Sequence, residues 1–248
     1  MSDHWENYPC TMGNHASFVT YDHGVRDELA KLPFPNFVSF RVTLLRPDDR
    51  GLPTGNEFNQ LNDVEDFLCS QLKDEYGLQV GRITSNGSRY FHFYSNLDED
   101  EINLLAEQAA QLHNHPIALL CEADPERTHY WNELFPTSDD WQVIQDIHVQ
   151  ESLERNGDTL DIPRPIEHWA YFPSAVQRQS FIEDVKAEFD EIHLSESETS
   201  AKGRFVAKLV KTGLPDYRSM NHSTLLLNRA ARTHGGDYDG WETLVCKS

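Results

Sequence analysis

LQVGRITSNGSRYFHFYS, Leu78 to Ser95, contains two runs of alternating residues joined through Ser85-Asn86-Gly87-Ser88. Asn-Gly favours the positive backbone angles of a two-residue hairpin loop, so the stretch predicts a pair of antiparallel strands. On its N-terminal side, Phe58, Leu61, Val64, Leu68 and Leu72 recur at helical spacing, and Gly77 is the expected stop. On its C-terminal side, Asp98 and Glu101 have the spacing of a capping box before a helix whose apolar face is Ile102, Leu105, Ala109 and Leu112. One strand lies outside each helix: FVSFRVTLL, Phe37 to Leu45, and IALLCE, Ile117 to Glu122.

Strand, helix, hairpin, helix, strand is the split βαβ or ferredoxin-like order. It recurs from Ile166. IEHWAYF is a strand, and Ser174 with Gln177 can cap the helix carrying Phe181, Ile182 and Val185. Strands follow around FDEIHLSE and GRFVAKLV, then a helix with Met220, Leu227 and Ala231, and a last strand near Trp241 to Val245. The expectation is an α/β (α+β) chain of two ferredoxin-like sandwich domains, each an antiparallel sheet with helices on one face. The boundary falls near Pro136, giving domains 1–135 and 136–248. His15 to Tyr21 supplies an extra N-terminal strand, and a helix from Thr137 or Ser138 to Gly157 precedes the second domain. Its apolar positions, Trp141, Ile144, Val149 and Leu153, are irregular, so either domain could take it.

The 248 residues include 41 acidic and 21 basic side chains, a formal charge of −20, which disfavours direct binding of nucleic acid and serves equally to attract a basic protein partner or to keep the protein soluble. The polar start and the lack of a long apolar run argue against a secretory leader or a membrane span. Cys10, Cys69, Cys121 and Cys246 have no framework spacing and read as unpaired thiols, which points to the cytoplasm.

No stretch carries HExxH, GxSxG, a Walker loop or GxGxxG. His113 and His115 fall short of the three or four ligands a metal needs, and Glu122, Asp124, Glu126 and His129 are unexceptional in so acidic a chain. No metal or cofactor is expected. Tyr90, Phe91, Phe93 and Tyr94 could form a stacking platform for RNA, but the basic balance such a platform needs is absent, and in a sheet with one face on two helices alternate aromatics read as core.

In the second domain, Glu167-His168 resembles half of an acid-base pair. Strand order places it four or five residues from Asp239, too far for proton relay. Asp239-Gly240 reads as a turn, Trp241 as a core anchor or a recognition ring, and Arg164 as a group that pairs a carboxylate on a partner or on this chain.

NGD at Asn156–Asp158, IEHW at Ile166–Trp169 and DYDGWE at Asp237–Glu242 resemble the RraB family, regulators that bind the endoribonuclease RNase E and inhibit it without being enzymes. GLP at Gly51–Pro53, VGRIT at Val80–Thr84 and the aromatic strand ending at Tyr94 are similar to the DUF695 family, whose role is unassigned. The resemblance implies a non-enzymatic regulatory module that binds another protein, with an endoribonuclease as candidate target and Arg164, Glu167, His168, Tyr238, Asp239, Gly240 and Trp241 as candidate contacts. The alternatives are a hydrolase with a site at the domain interface, drawing on Glu122, His129 and Arg164, or a small-ligand-binding accessory protein.

Overall fold

The computed structural model describes residues 2 and 4–247. The chain divides into two compact units, Met1–Phe135 and Pro136–Ser248.

The first unit contains β1 (Trp5–Met12), β2 (His15–Asp22), β3 (Asn36–Thr43), α1 (Glu57–Gln71), β4 (Gly77–Ser85), β5 (Ser88–Ser95), α2 (Glu99–His113) and β6 (Ile117–Ala123). Its antiparallel sheet has the order β1-β2-β4-β5-β3-β6, a ferredoxin-like set of four strands widened by a hairpin on the β4 edge. The β4–β5 loop is the expected tight turn, with Asn86 and Gly87 at φ of 46° and 73° and Ser85 paired to Ser88. The Asp98–Glu101 capping box closes in both directions. Val38, Phe40, Phe91 and Phe93 point from the sheet into the layer of Leu61, Val64, Leu68, Ile102 and Ala109.

Three expectations shift. An entire strand, β1, precedes His15, and α1 ends at Gln71 well before Gly77. Phe58 and Leu112, placed on the apolar stripes, are 48% and 66% exposed. Each lies on the first or last turn of its helix, at the margin of the core, and Arg89 of β5 lies over the Phe58 ring.

The second unit contains α3 (Ser138–Arg155), β7 (Arg164–Phe172), α4 (Ala175–Val185), β8 (Glu191–Glu196), β9 (Phe205–Gly213), α5 (Tyr217–Thr233) and β10 (Asp237–Thr243). The antiparallel order β10-β7-β9-β8 is again ferredoxin-like. Phe172, Phe181, Val185, Leu209 and Leu227 form its core.

Thr137 and Asp140 cap α3 reciprocally, and the helix packs on α5 and β10. Its apolar period was irregular because its inward stripe is polar: Gln142, Asp146 and Gln150 recur every four residues and all are buried. Gln150 donates to the Pro215 carbonyl at 2.9 Å. Asp146, 2% exposed, accepts hydrogen bonds from Gln142 Nε2 at 2.9 Å, from Trp241 Nε1 at 2.9 Å and from the Thr224 hydroxyl. One carboxylate thus joins α3, α5 and β10. Beside it, Trp241 packs with Leu153, Ile166 and Met220.

Burial pushes the Asp146 carboxyl up to about 6, against the three hydrogen bonds that favour the charged form. Its folded pKa exceeds the unfolded value, so the folded state holds the extra proton between about pH 4 and 6. The contribution is complete below pH 4 and is lost as pH rises through 6. Asp146→Asn keeps the acceptor for Trp241 and Gln142 and lets Thr224 turn its proton to the Met220 carbonyl, 2.9 Å away. In denaturant titrations, the stability of this variant relative to wild type is expected to rise by about 3 kcal/mol between pH 4 and pH 7. Trp241→Ala is expected to lose about 3–5 kcal/mol at either pH, through the cavity and the lost donor.

Candidate functional site

β10 carries the D-Y-D-G-W motif, and its geometry follows from one extra residue. Tyr238 pairs with Ala170 and Gly240 with Trp169, so Asp239 is the inserted residue of a β-bulge. Gly240 takes φ of 101°, a conformation unfavourable for a residue with a side chain. Three positions apart on a regular strand, Tyr238 and Trp241 would face opposite sides. The bulge turns both toward the helices, and they are 7% and 6% exposed. Asp239 projects outward and pairs with Lys202, whose ammonium also lies 3.7 Å from Asp237.

The expected distance between the Glu167-His168 pair and the motif does not hold. β10 begins at Asp237 rather than near Trp241, so the strands overlap fully and Trp241 lies directly opposite His168. The pair itself is split by strand alternation. His168 is buried, its Nδ1 is 2.8 Å from the Tyr238 hydroxyl, and burial with nearby Lys211 holds it neutral, its pKa near 3. Glu167 lies on the other face with Lys208 at 2.8 Å.

Arg164 is 5% exposed and donates to Asp158 at 2.6 Å, so its carboxylate partner belongs to this chain. Asp158 also accepts from the Leu160 and Cys246 amides, both at 2.8 Å. Burial alone would raise Asp158, but these amides and Arg164 outweigh it and hold the carboxyl below its usual range. The NGD segment is thereby tied to β7 and to the residues after β10.

Of the seven residues named from sequence, Tyr238, Asp239, Gly240 and Trp241 line a cleft of about 320 Å³ between β10 and α3, whereas Arg164, Glu167 and His168 do not. α3 contributes Trp141, Gln145 and Val149 to it, with Asp146 beneath. Trp141 is 37% exposed. Trp141 was assigned to the apolar stripe, and Gln145 and Asp146 were not singled out; the four-residue spacing of Gln142, Asp146 and Gln150 was the available signal. With Asp146 taking three donors and Asp239 taking Lys202, the cleft presents an aromatic wall and a charged rim, an arrangement suited to holding a side chain.

The other clusters resolve into local structure. Asp124 accepts from the Tyr94 hydroxyl at 2.7 Å and from the Thr128 and His129 amides. His129 bridges Glu122 and Glu133 at 2.6 Å each and lies flat on Phe37, with centroids 3.9 Å apart. Burial lowers the His129 pKa, but the two carboxylates outweigh it and raise the ring above its usual value. His115 turns inward toward Glu57, while His113 meets Phe67. Among the described residues, no group of three His, Cys, Asp or Glu is arranged to hold a metal, the four cysteines form no disulfide, and no helix is long and apolar enough to cross a membrane. Alternation splits RYFHFYS: Phe91 and Phe93 enter the helix-side core, while Tyr90, His92 and Tyr94 take the other face.

Residues 144–243 match the family described as regulator of ribonuclease activity B, RraB, and residues 3–135 match the family of unknown function DUF695. No curated protein matches the chain. Among solved structures, the crystal structure of an unknown protein from Galdieria sulphuraria is similar over 85% of this chain and 99% of its own, at 12% identity and a TM-score of 0.23. The chain belongs to the DUF695 family, with that domain in its first unit joined to a second unit that matches RraB.

Proposed function

We propose that the chain is a non-enzymatic regulator that binds a protein through its second unit, and that its target is an RNA-degrading endoribonuclease of the RNase E type. The observation that carries this reading is the bulged D-Y-D-G-W strand beside the cleft under Trp141, within the segment that matches RraB. An aromatic wall next to a charged rim is the pattern of an interface anchor, where a partner side chain is desolvated at the centre and ion pairs surround it. Asp239, Gly240 and Trp141 make the contact, over a cleft floor to which the buried Tyr238 and Trp241 contribute. Arg164 and His168 support it from beneath by fixing β7 and the NGD loop, and Glu167 lies on the opposite sheet face.

The formal charge of −20 supports the same target class. A nuclease that grips RNA presents cationic surface, and an acidic protein is steered to that surface and competes with the phosphate backbone for it. A cytoplasmic address belongs with this reading.

Calorimetry with a purified RNase E-type nuclease, paired with cleavage of a fluorogenic RNA, tests the proposal. Saturable binding with dose-dependent inhibition is expected, and the association rate should fall steeply between low and physiological salt. Asp239→Lys alters an exposed side chain, so its melting temperature should stay near wild type, while Trp141→Ala removes a largely covered ring and should melt somewhat lower; affinity should drop about tenfold or more in both. No heat and no inhibition at micromolar concentration would remove the nuclease as target. Wild-type affinity in both variants would remove the cleft as the contact.

A further inference from the structure

The first unit carries a site of a different kind, on the sheet face away from α1 and α2. His92, in the middle of β5, is 2% exposed, and neither ring nitrogen has a hydrogen-bond partner among the described residues. A buried donor and acceptor left bare are costly, and satisfying buried polar groups is the rule. His92 lines a cleft of about 470 Å³ together with Met12, Ile83, Ser85, Tyr90 and Asn132. That size lies within the range of small-molecule pockets, and an apolar wall with a few placed polar groups is their common composition.

We propose that this cleft binds a small, flat, uncharged heteroaromatic molecule with adjacent hydrogen-bond donors and acceptors, the chemistry of a nucleobase or nucleoside. Flatness follows from the rings. Tyr90 and His92 lie within 13° of parallel, His92 and Phe37 within 24° and Phe37 and His129 within 6°, a row of rings that ends in the cleft at the half-buried Tyr90, where a planar ring system extends the row. Polarity follows from the donors and acceptors: the neutral imidazole of His92 supplies one of each, and the carboxamides of Asn86 and Asn132 line the same cleft. Asn86 is held in a left-handed conformation at the hairpin tip, which fixes its position.

Absence of charge follows from what the cleft can neutralise. Burial holds His92 uncharged down to about pH 3, and Glu133, the carboxylate lining the cleft, is bonded to His129 at 2.6 Å. His15, the other histidine lining the cleft, is exposed, so a charged ligand would be desolvated without a buried counter-charge, and an anion would also meet the acidic field of the chain. The inference does not depend on the second unit or its partner.

The test uses the intact chain labelled with ¹⁵N-histidine, titrated with adenine, adenosine, cytidine and adenosine monophosphate. Saturable movement of the His92 resonances with the base or a nucleoside is expected, with the monophosphate at least tenfold weaker. His92→Phe keeps a stacked ring and removes the two bare nitrogens, so it should melt at a higher temperature than wild type and show no saturable binding. Motionless His92 resonances with every probe at millimolar concentration would overturn the proposal. So would binding that survives His92→Phe, a monophosphate that binds as tightly as its nucleoside, or a lower melting temperature for the variant, which would mean that the nitrogens already have partners.

Discussion

A carboxylate excluded from water must be satisfied by the protein, and in the second unit that requirement organises three elements at once. Asp146 draws the indole of Trp241, the hydroxyl of Thr224 and the amide of Gln142 to one point. The register of α3 against α5 and β10 is set by those directions, because sliding the helix would part the buried carboxylate from its Trp241 and Thr224 donors. Purely apolar packing would be less particular about register. The bulge in β10 serves the same point, since without the extra residue the Trp241 donor would face the other side of the sheet.

The two units share a strand order but seal their sheets differently. In the first, the residues after β6 return across the face opposite the helices. Tyr130 there donates to the Asp22 carbonyl at 2.8 Å, Tyr8 donates to the Leu134 carbonyl at 3.0 Å, and the Arg127 guanidinium gathers the carbonyls of Leu29, Leu32 and Phe34. The hairpin β1–β2 is the surface that this return packs against, through the ring contacts of Tyr21 with Tyr130 and Phe135. The cover is incomplete at the β4–β5 turn, and the cleft at His92 lies there.

Hydrophobic periodicity and capping chemistry made most of this legible. Alternation in Phe37–Leu45, the Asn86-Gly87 turn and the Asp98 box are local patterns, and local physics decides them. What escaped depended on distant partners. Gln142, Asp146 and Gln150 look like a solvent-facing stripe until Trp241 and Thr224 are brought to them from more than seventy residues away. The bulge at Asp239 is invisible to a period of two, so β10 was read as starting too late and the relation of His168 to the motif was misjudged. His92 sat in an aromatic strand whose alternation correctly divided core from the other face, but nothing in its neighbours in sequence indicates that its nitrogens would go unpaired.

The outer strands bear on how the molecule behaves at high concentration. β8 is short, mostly exposed and carries Glu191 and Glu196, and β10, the opposite edge, is kinked by its bulge and carries Asp237, Asp239 and Glu242. In the first unit the β1 edge contains Pro9, which offers no N–H to an added strand. Such edges are poor templates for another copy of the chain. The second sheet is therefore guarded at both edges against strand-by-strand polymerisation, and a partner of that unit has to recognise it by side chains rather than by extending its sheet.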